Sequence, residues 1–595
     1  MVASEMMKEG KFMKRMMSIL LAAALLLGGC GAKTDKPVVE ATTENPTEVV
    51  EATEPEKKIE EIAFQSRFAE ETAIQLSDDG ITVNGGGETE GVYTSRDIVY
   101  YEEKTAYDSG NPYGDGSEAD MHSVDEAAGH LVVNITQPGA YRISGKLSAG
   151  QIRVDLGATA YEDETAVVEL VLENADITCT VAPAILFKNV YECDGAWSVE
   201  EAKAEVDTSK AGAVLVLEGE NLVNGSYVAK IYKDAEGEKK LCKQDGAIYS
   251  YMSLNVFGPG SLDLTAENEG LDSELHLTIN GGKIAIRSCN DGINTNEDGV
   301  SVTTINGGDV HIIAGLGQEG DGIDSNGYLV INGGTVVSTA NPVADAGLDS
   351  DLGSYVNGGI VVALGSTMDW AESDSNQVTM NLQFADYQSS DSAIVVTGEN
   401  DEVVFVYDPA ADEVLGENVR RYQGAVISTP NLTQGQSYHV YVGGSQMMYT
   451  GTDVGFGGFG GFGPGKPGEM PEGFEGQIPE EFKGHMPENF QGQMPNMENF
   501  TVPEGGEMPE GFENWFGQFS EGMDENFAMP ENWNGEGAPE RGEKPEGFDG
   551  QMPGGFGGPM PGGFGGQQGE AGEGSTVFFM SDKVNAFSGV TAVTE

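Results

Sequence analysis

The sequence predicts an all-β fold: a right-handed single-stranded parallel β-helix with a small C-terminal antiparallel β module and disordered segments. Three observations predict it. The triplet Asn-Gly-Gly recurs at Asn280, Asn306, Asn332 and Asn357, at spacings of 26, 26 and 25 residues. A second motif, Gly-Leu/Ile-Asp/Asn-Ser/Thr, runs in step with it, beginning at Gly270, Gly292, Gly322 and Gly347. Between the motifs lie short alternating β-branched runs at 275–279, 283–286, 310–313 and 335–338.

Self-similarity at a fixed period of this length marks a solenoid. The runs are too short and too β-branched for helices, which excludes helical repeats. A leucine-rich ladder and a nonapeptide period are both missing. A rung of three short strands and three turns uses about this much chain. Aligned rungs stack Ile279, Ile305, Ile331 and Val356 in one interior column. Ile284, Val310, Val336 and Val361 form another, and Leu271, Ile293, Ile323 and Leu348 a third. Each such side chain, fully buried, contributes about 1.5 to 3 kcal/mol. The glycines of the triplets supply the positive φ that a tight corner demands.

Taken in order, the chain opens on Lys14-Arg15, an apolar run at 16–27, and Gly28-Gly29-Cys30. A basic start, a short apolar stretch and small residues read as a secretory signal, too short for a spanning helix. Small residues ending in cysteine resemble the bacterial lipobox, which makes 1–30 a lipoprotein signal peptide and Cys30 the lipidation site. The expected location is therefore extracellular, anchored to the cell membrane. Residues 31–62, rich in Thr, Glu, Pro, Val and Lys, read as a disordered linker. Residues 63–130 alternate strand-like pieces with turns and read as an N-terminal cap region. The β-helix is expected over 131–365, with irregular rungs at 167–172, 213–217 and 253–257, about nine rungs in all. Longer strands at 393–397, 403–407, 425–428 and 438–442 make 366–450 a C-terminal β module that covers the open end of the stack. Residues 451–573 repeat units such as Met470-Pro471-Glu472-Gly473-Phe474 and read as a low-complexity, disordered arm. Residues 574–595 carry a returning strand, Val577-Phe578-Phe579-Met580, which makes the arm an insertion.

The net charge of −66 excludes nucleic acid and anionic lipid as partners, because Lys and Arg are too few to neutralise phosphates. It suits solubility outside the cell, and it attracts cations. Membrane contact is expected only through the lipid anchor, and the chain is expected to be monomeric. Cys179, Cys193, Cys242 and Cys289 read as small apolar fillers, with Cys179 to Cys193 the favoured bridge if one forms.

The chemistry concentrates on an acidic column. Asp272, Asn294, Asp324 and Asp349 occupy equivalent repeat positions, while Glu269, Asp291 and Asp321 stand at another. Stacked rungs bring equivalent residues to about 4.8 Å. Two carboxylates at that distance repel by about 0.9 kcal/mol in water and about 3.5 kcal/mol at an effective dielectric of 20. A hard cation with six to eight oxygen ligands, Ca²⁺ above all, would convert repulsion into binding. The alternative is that the side chains brace turns through Asx hydrogen bonds, which Asn294 does as well as an aspartate. Nucleophile motifs and phosphate loops are missing, and His276 and His311 read as structural or solvent-facing.

With these residues in view, the chain resembles the bacterial extracellular family of carbohydrate-binding domain-containing proteins, parallel β-helices similar to family 9 polysaccharide lyases. The resemblance rests on Ile135-Thr136-Gln137-Pro138-Gly139-Ala140-Tyr141-Arg142-Ile143-Ser144-Gly145, on Leu172-Glu173-Asn174-Ala175-Asp176-Ile177-Thr178, on the two repeat motifs, and on Val426-Ile427-Ser428-Thr429-Pro430. It covers most of residues 65–450. It implies calcium-dependent binding of an acidic polysaccharide of the polygalacturonate type, with Asp272, Asp291, Asn294, Asp321, Asp324 and Asp349 as metal positions. Asn294 replaces an aspartate there, and Ala346 stands where a carboxylate would, which weakens at least one site. Two other readings stand beside it. A calcium-dependent lyase would use Lys283 or Arg287 as base, and a structural adhesin would make contact through the arm.

Overall fold

The structure, a computed structural model, describes residues 62–101, 120–451 and 574–593, apart from positions 197, 200, 234–238, 318, 367, 368, 390, 417 and 419. The signal and Cys30, almost all of the 31–62 linker, and the arm lie outside the described residues. Among the described residues the chain is nearly all β. Helix is limited to Val124–Gly129 and single turns at Ala160–Glu162 and Pro409–Ala411.

Three ladders of parallel strands carry the repeat. The first joins Val168–Thr178, Ala213–Glu218, Leu254–Phe257, Leu277–Ile279, Val302–Ile305, Tyr328–Ile331 and Gly353–Val356. The second joins Glu220–Gly225, Ser261–Ala266, Lys283–Ser288, Asp309–Ile313, Thr335–Thr339 and Ile360–Gly365. The third joins Leu131–Ile135, Gly150–Asp155, Ile185–Asn189, Gly246–Ser250, Glu269–Ser273, Ile293–Thr295 and Ile323–Ser325. The chain visits third, first and second ladder in turn.

Register follows the aliphatic spacing. Ile279, Ile305, Ile331 and Val356 are successive Cα partners, as are Ile284, Val310, Val336 and Val361. Leu271 pairs with Ile293 and Ile293 with Ile323, and all belong to one continuous core. Branched side chains stack on their equivalents from rung to rung, all of them buried.

The Asn-Gly-Gly corners join the first ladder to the second. Asn306 donates its amide to Asn280 Oδ1 at 2.9 Å, Asn332 to Asn306 at 3.0 Å, and Asn357 to Asn332 at 3.0 Å. Asn376, outside the repeat, closes the row on Asn357 at 2.9 Å. The third residue of each corner has positive φ, 94° at Gly308 and 84° at Gly334, where a side chain would be strained.

Both ends of the stack are covered. At the N-terminal end Glu71–Ser77 pairs in parallel with Gly139–Leu147 and antiparallel with Gly80–Val83. The parallel ladder therefore begins inside the segment expected to be only a cap, 60 residues before 131. Val92–Ser95 runs antiparallel to Leu131–Ile135 and closes the third ladder. At the other end Tyr422–Ser428 pairs antiparallel with Ile360–Gly365, so the last strand of the second ladder presents no free edge. Behind it Ile394–Gly398, Val403–Tyr407 and Ser437–Val442 form an antiparallel sheet around a separate core. The last segment enters this region twice. Phe578–Phe579 pairs with Ser437 and Tyr438, and Val584–Ala592 runs parallel to Thr379–Gln388. Tyr449 and Ser575 exchange backbone hydrogen bonds of 2.9 Å across the two ends of the arm. Cys179 and Cys193 are both free, so the favoured bridge is not formed.

Candidate functional site

The third ladder gathers the acidic residues. Asp272 pairs with Asn294, and Asn294 with Asp324. Asp349 continues the row, its N–H donating to Ile323 O at 2.8 Å and its carbonyl accepting from Ser325 N. Three residues earlier in each rung a parallel row forms from Glu269, Asp291 and Asp321, with Ala346 at its foot. Gly270 N donates to Asp291 O, Gly292 N to Asp321 O and Gly322 N to Ala346 O. The motif glycines permit this closeness: a Cβ at Gly292 would lie 2.2 Å from Ile312 Cγ2 and 2.6 Å from Gly322 O.

The two rows are bonded differently. Asp291 Oδ1 accepts from Asp321 N at 2.7 Å, and Asp321 Oδ1 from Ala346 N at 2.5 Å, so one oxygen of each braces the next rung. Glu269 Oε2, Asp272 Oδ2 and Asn294 Oδ1 are buried and, with the carboxylates ionised, receive no hydrogen bond; Glu269 and Asp272 bond each other only when one of them holds a proton. Asp272 is 0% exposed and Glu269 4%. An orphaned buried acceptor costs on the order of 1 to 3 kcal/mol, more when charged. Here three of them adjoin.

Burial dominates the electrostatics. It pushes Glu269, Asp272 and Asp291 well above the carboxylate range, with neighbouring carboxylates adding to the shift. Asp321 rises to about 9 and Asp324 to about 7, burial first and Asp349 among the further causes in both. Asp369, beyond the repeat, rises to about 8 through burial and its hydrogen bond with Asp349. Groups this reluctant to ionise hold protons near neutrality, or give them up to a cation.

One cation is built in. Lys243 Nζ lies 2.9 Å from Asp245 Oδ2 and donates to Asn296 Oδ1 at 2.7 Å. Burial opposes its charge, but Asp245, Asp272 and Glu269 outweigh that and hold the ammonium above the usual lysine range. Lys243, Asp245 and Asp369 carry no repeat signal, and Asn296, which recurs one rung on as Asn326, lies outside the two acidic rows, so none of the four was legible as a site residue. Asp245-Gly246 does echo the Asp-Gly that opens two of the later motifs, a trace that could have found one of them.

The oxygen-only donor set suits a hard cation. Orphaned carboxylate and amide oxygens from Glu269, Asp272 and Asn294 are the donors such an ion takes, and Asp291, Asp321, Asp324 and Asp349 continue the supply down the column. Among the described residues, no three His, Cys, Asp or Glu side chains are already drawn together as a metal set. Lys283 and Arg287 stand on the second ladder, where Arg287 is tied to Asp263 and to Val414 O. His276 is buried, with Val302 N donating to its Nδ1, and His311 is held between Asp309 and Asp412.

Residues 130–399 match the model of a family described as carbohydrate-binding domain-containing protein. A carbohydrate-binding domain-containing protein of Acetivibrio thermocellus is 30% identical over 157 residues, 26% of this chain and 45% of that protein. The chain thus spans less than half the length of this relative. A solved structure of a polysaccharide lyase-like protein from C. thermocellum overlaps 49% of this chain and 92% of its own, at 21% identity and a TM-score of 0.29. That score is too low to bear on fold or chemistry.

Proposed function

We propose that the three ladders form a right-handed parallel β-helix whose acidic column binds Ca²⁺ and, through it, an acidic polysaccharide of the polygalacturonate type. The protein would do this at the cell surface as a monomeric lipoprotein anchored by Cys30. The observation that carries the reading is the set of adjoining buried oxygens, on Glu269, Asp272 and Asn294, left without donors whenever the carboxylates are ionised. Carbohydrate as the partner is supported by the family match over residues 130–399.

The residues divide the work. Asp272, Asp291, Asn294, Asp321, Asp324 and Asp349 would hold the metal, and the backbone ladder fixes their spacing. Bound there, Ca²⁺ supplies coordination positions that a uronate carboxylate completes. Charge makes this requirement strict, since a chain of net charge −66 repels a polyanion unless a shared cation lies between them.

The test is calorimetry of the full chain with polygalacturonate, in calcium and in chelator, while unsaturated product is followed by ultraviolet absorbance. Heat of binding in calcium alone, with flat absorbance, is the expected result. Binding that persists in chelator would refute the metal bridge, and rising absorbance would make the protein a lyase.

A further inference from the structure

We propose that Lys243 and Asn296 join in an intramolecular amide, an isopeptide cross-link that the protein forms by itself with loss of ammonia. The groups such a reaction needs are already in contact. Lys243 Nζ, the nucleophile, donates to Oδ1 of the Asn296 amide at 2.7 Å, which holds it next to Cγ, the electrophilic carbon. Asp245 Oδ2, at 2.9 Å from Nζ, is placed to take a proton, although the carboxylates around Nζ favour the ammonium, so the free amine that reacts is a minor form and the reaction a slow one. Asn296 Nδ2, the nitrogen that must depart, donates to Asp272 Oδ1 at 2.5 Å. A nucleophile, a base beside it and a group holding the leaving atom make up the arrangement of nucleophilic catalysis.

Both partners are fixed by the backbone. Lys243 lies in the strand Lys239–Gln244, paired with Val228–Lys233, and the chain turns directly into the third ladder at Gly246. Asn296 follows Ile293–Thr295. Its N–H donates to Ser273 O at 3.0 Å, and its carbonyl accepts from Asn326 Nδ2 at 2.9 Å. Reactants pinned at hydrogen-bond distance react as if at very high concentration, which is how a sluggish amide exchange becomes accessible.

The step balances without a co-reactant. Asp245 takes one proton from the ammonium, and the freed lone pair on Nζ attacks Asn296 Cγ. A second Nζ proton passes to Nδ2, the Cγ–Nδ2 bond breaks, and ammonia leaves, collecting the proton from Asp245 as ammonium. One amide and one alkylammonium become one substituted amide and one ammonium ion. The product ties the hairpin that precedes one rung to the corner that follows the rung two further on, a span of 53 residues. In an exported chain whose Cys179, Cys193 and Cys289 are free, it would supply the covalent brace that no disulfide among them does.

The test is tryptic mapping of the purified full chain by tandem mass spectrometry. The expected product is a branched peptide joining the two segments, lighter by one ammonia than the sum of its linear parts, with no cleavage after Lys243. The variants Lys243→Arg and Asn296→Ala should each restore the missing mass. Quantitative recovery of linear peptides, one ending at Lys243 and one carrying intact Asn296, would overturn the proposal. The wild-type measurement suffices for that, whether or not a variant folds. A mass deficit surviving in both variants would overturn it too, by placing the loss elsewhere.

Discussion

Replacing Asp324 with asparagine, the residue its column already carries one rung earlier as Asn294, should flatten the pH dependence of stability in the metal-free protein. Burial first, and then Asp349 and Asp351, raise Asp324 from 3.8 to about 7. Its folded value thus lies above its unfolded one. The stability it contributes is complete below about pH 4 and is lost as pH rises through about 7. Each unit of pKa is worth about 1.4 kcal/mol, so the loss across that window is on the order of 4 kcal/mol for this one group. The assay is urea unfolding of the full chain, wild type against Asp324→Asn, at about pH 4, 6 and 8 in chelator and again in calcium. In chelator both proteins should weaken between the first and last conditions, because Asp321 and Asp369 are raised as well, and the variant should lose on the order of 4 kcal/mol less than the wild type. Calcium should rescue the wild type most at the highest pH, since an ion present at a hundred times its dissociation constant adds about 2.7 kcal/mol. Parallel profiles for the two proteins, or a calcium effect equal at every pH, would refute the argument.

Two further outcomes follow from the same ladders. Asn306→Ala removes the bond given to Asn280 and the one received from Asn332, so it should cost about 2 kcal/mol in chemical denaturation. A loss under about half a kcal/mol would mean the row is ornamental. His311 bonds Asp412 at 3.0 Å and Asp309 at 3.1 Å, and these carboxylates, outweighing the opposing effect of burial, raise it to about 9. His311→Gln should therefore destabilise the chain by about 1 to 3 kcal/mol near pH 6, and wild type and variant should converge as pH rises past about 9.

Where the period holds, register was legible. The spacing between Asn280 and Asn357 places Ile305 on Ile279 and Val336 on Val310, and the structure pairs them so. Before residue 250 the rungs lengthen. Val168 pairs with Ala213 and Ala213 with Leu254, separations of 45 and 41 residues that hide the repeat behind inserted loops. Glu71 finds Ala140 across an even longer insertion, so its strand looked like part of a cap. Val584–Ala592 pairs with a strand some two hundred residues away, which no local pattern reports. At the site the rows of equivalent residues were readable from spacing alone. Lys243 was not, because it arrives from an excursion outside the repeat and owes its place to tertiary contact.

The two motifs of the repeat behave as opposites, and the difference separates scaffold from site. Both stack a polar residue at every rung, and both bury it in part. The asparagine row satisfies itself: each amide carries a donor and an acceptor, so every oxygen from Asn280 to Asn357 receives a hydrogen from the next residue in line. Ionised aspartate and glutamate have acceptors only, so a row of them closes only by holding protons or by taking a cation. Backbone N–H groups satisfy one oxygen each of Asp291 and Asp321, and Asn296 satisfies one of Asp272. With the carboxylates ionised, Glu269 Oε2, Asp272 Oδ2 and Asn294 Oδ1 still lack a donor. Stability alone would favour asparagine in both rows, since it could form the same rung-to-rung ladder without the desolvation of charge. The proposed cation would account for a column that keeps carboxylates where amides would do.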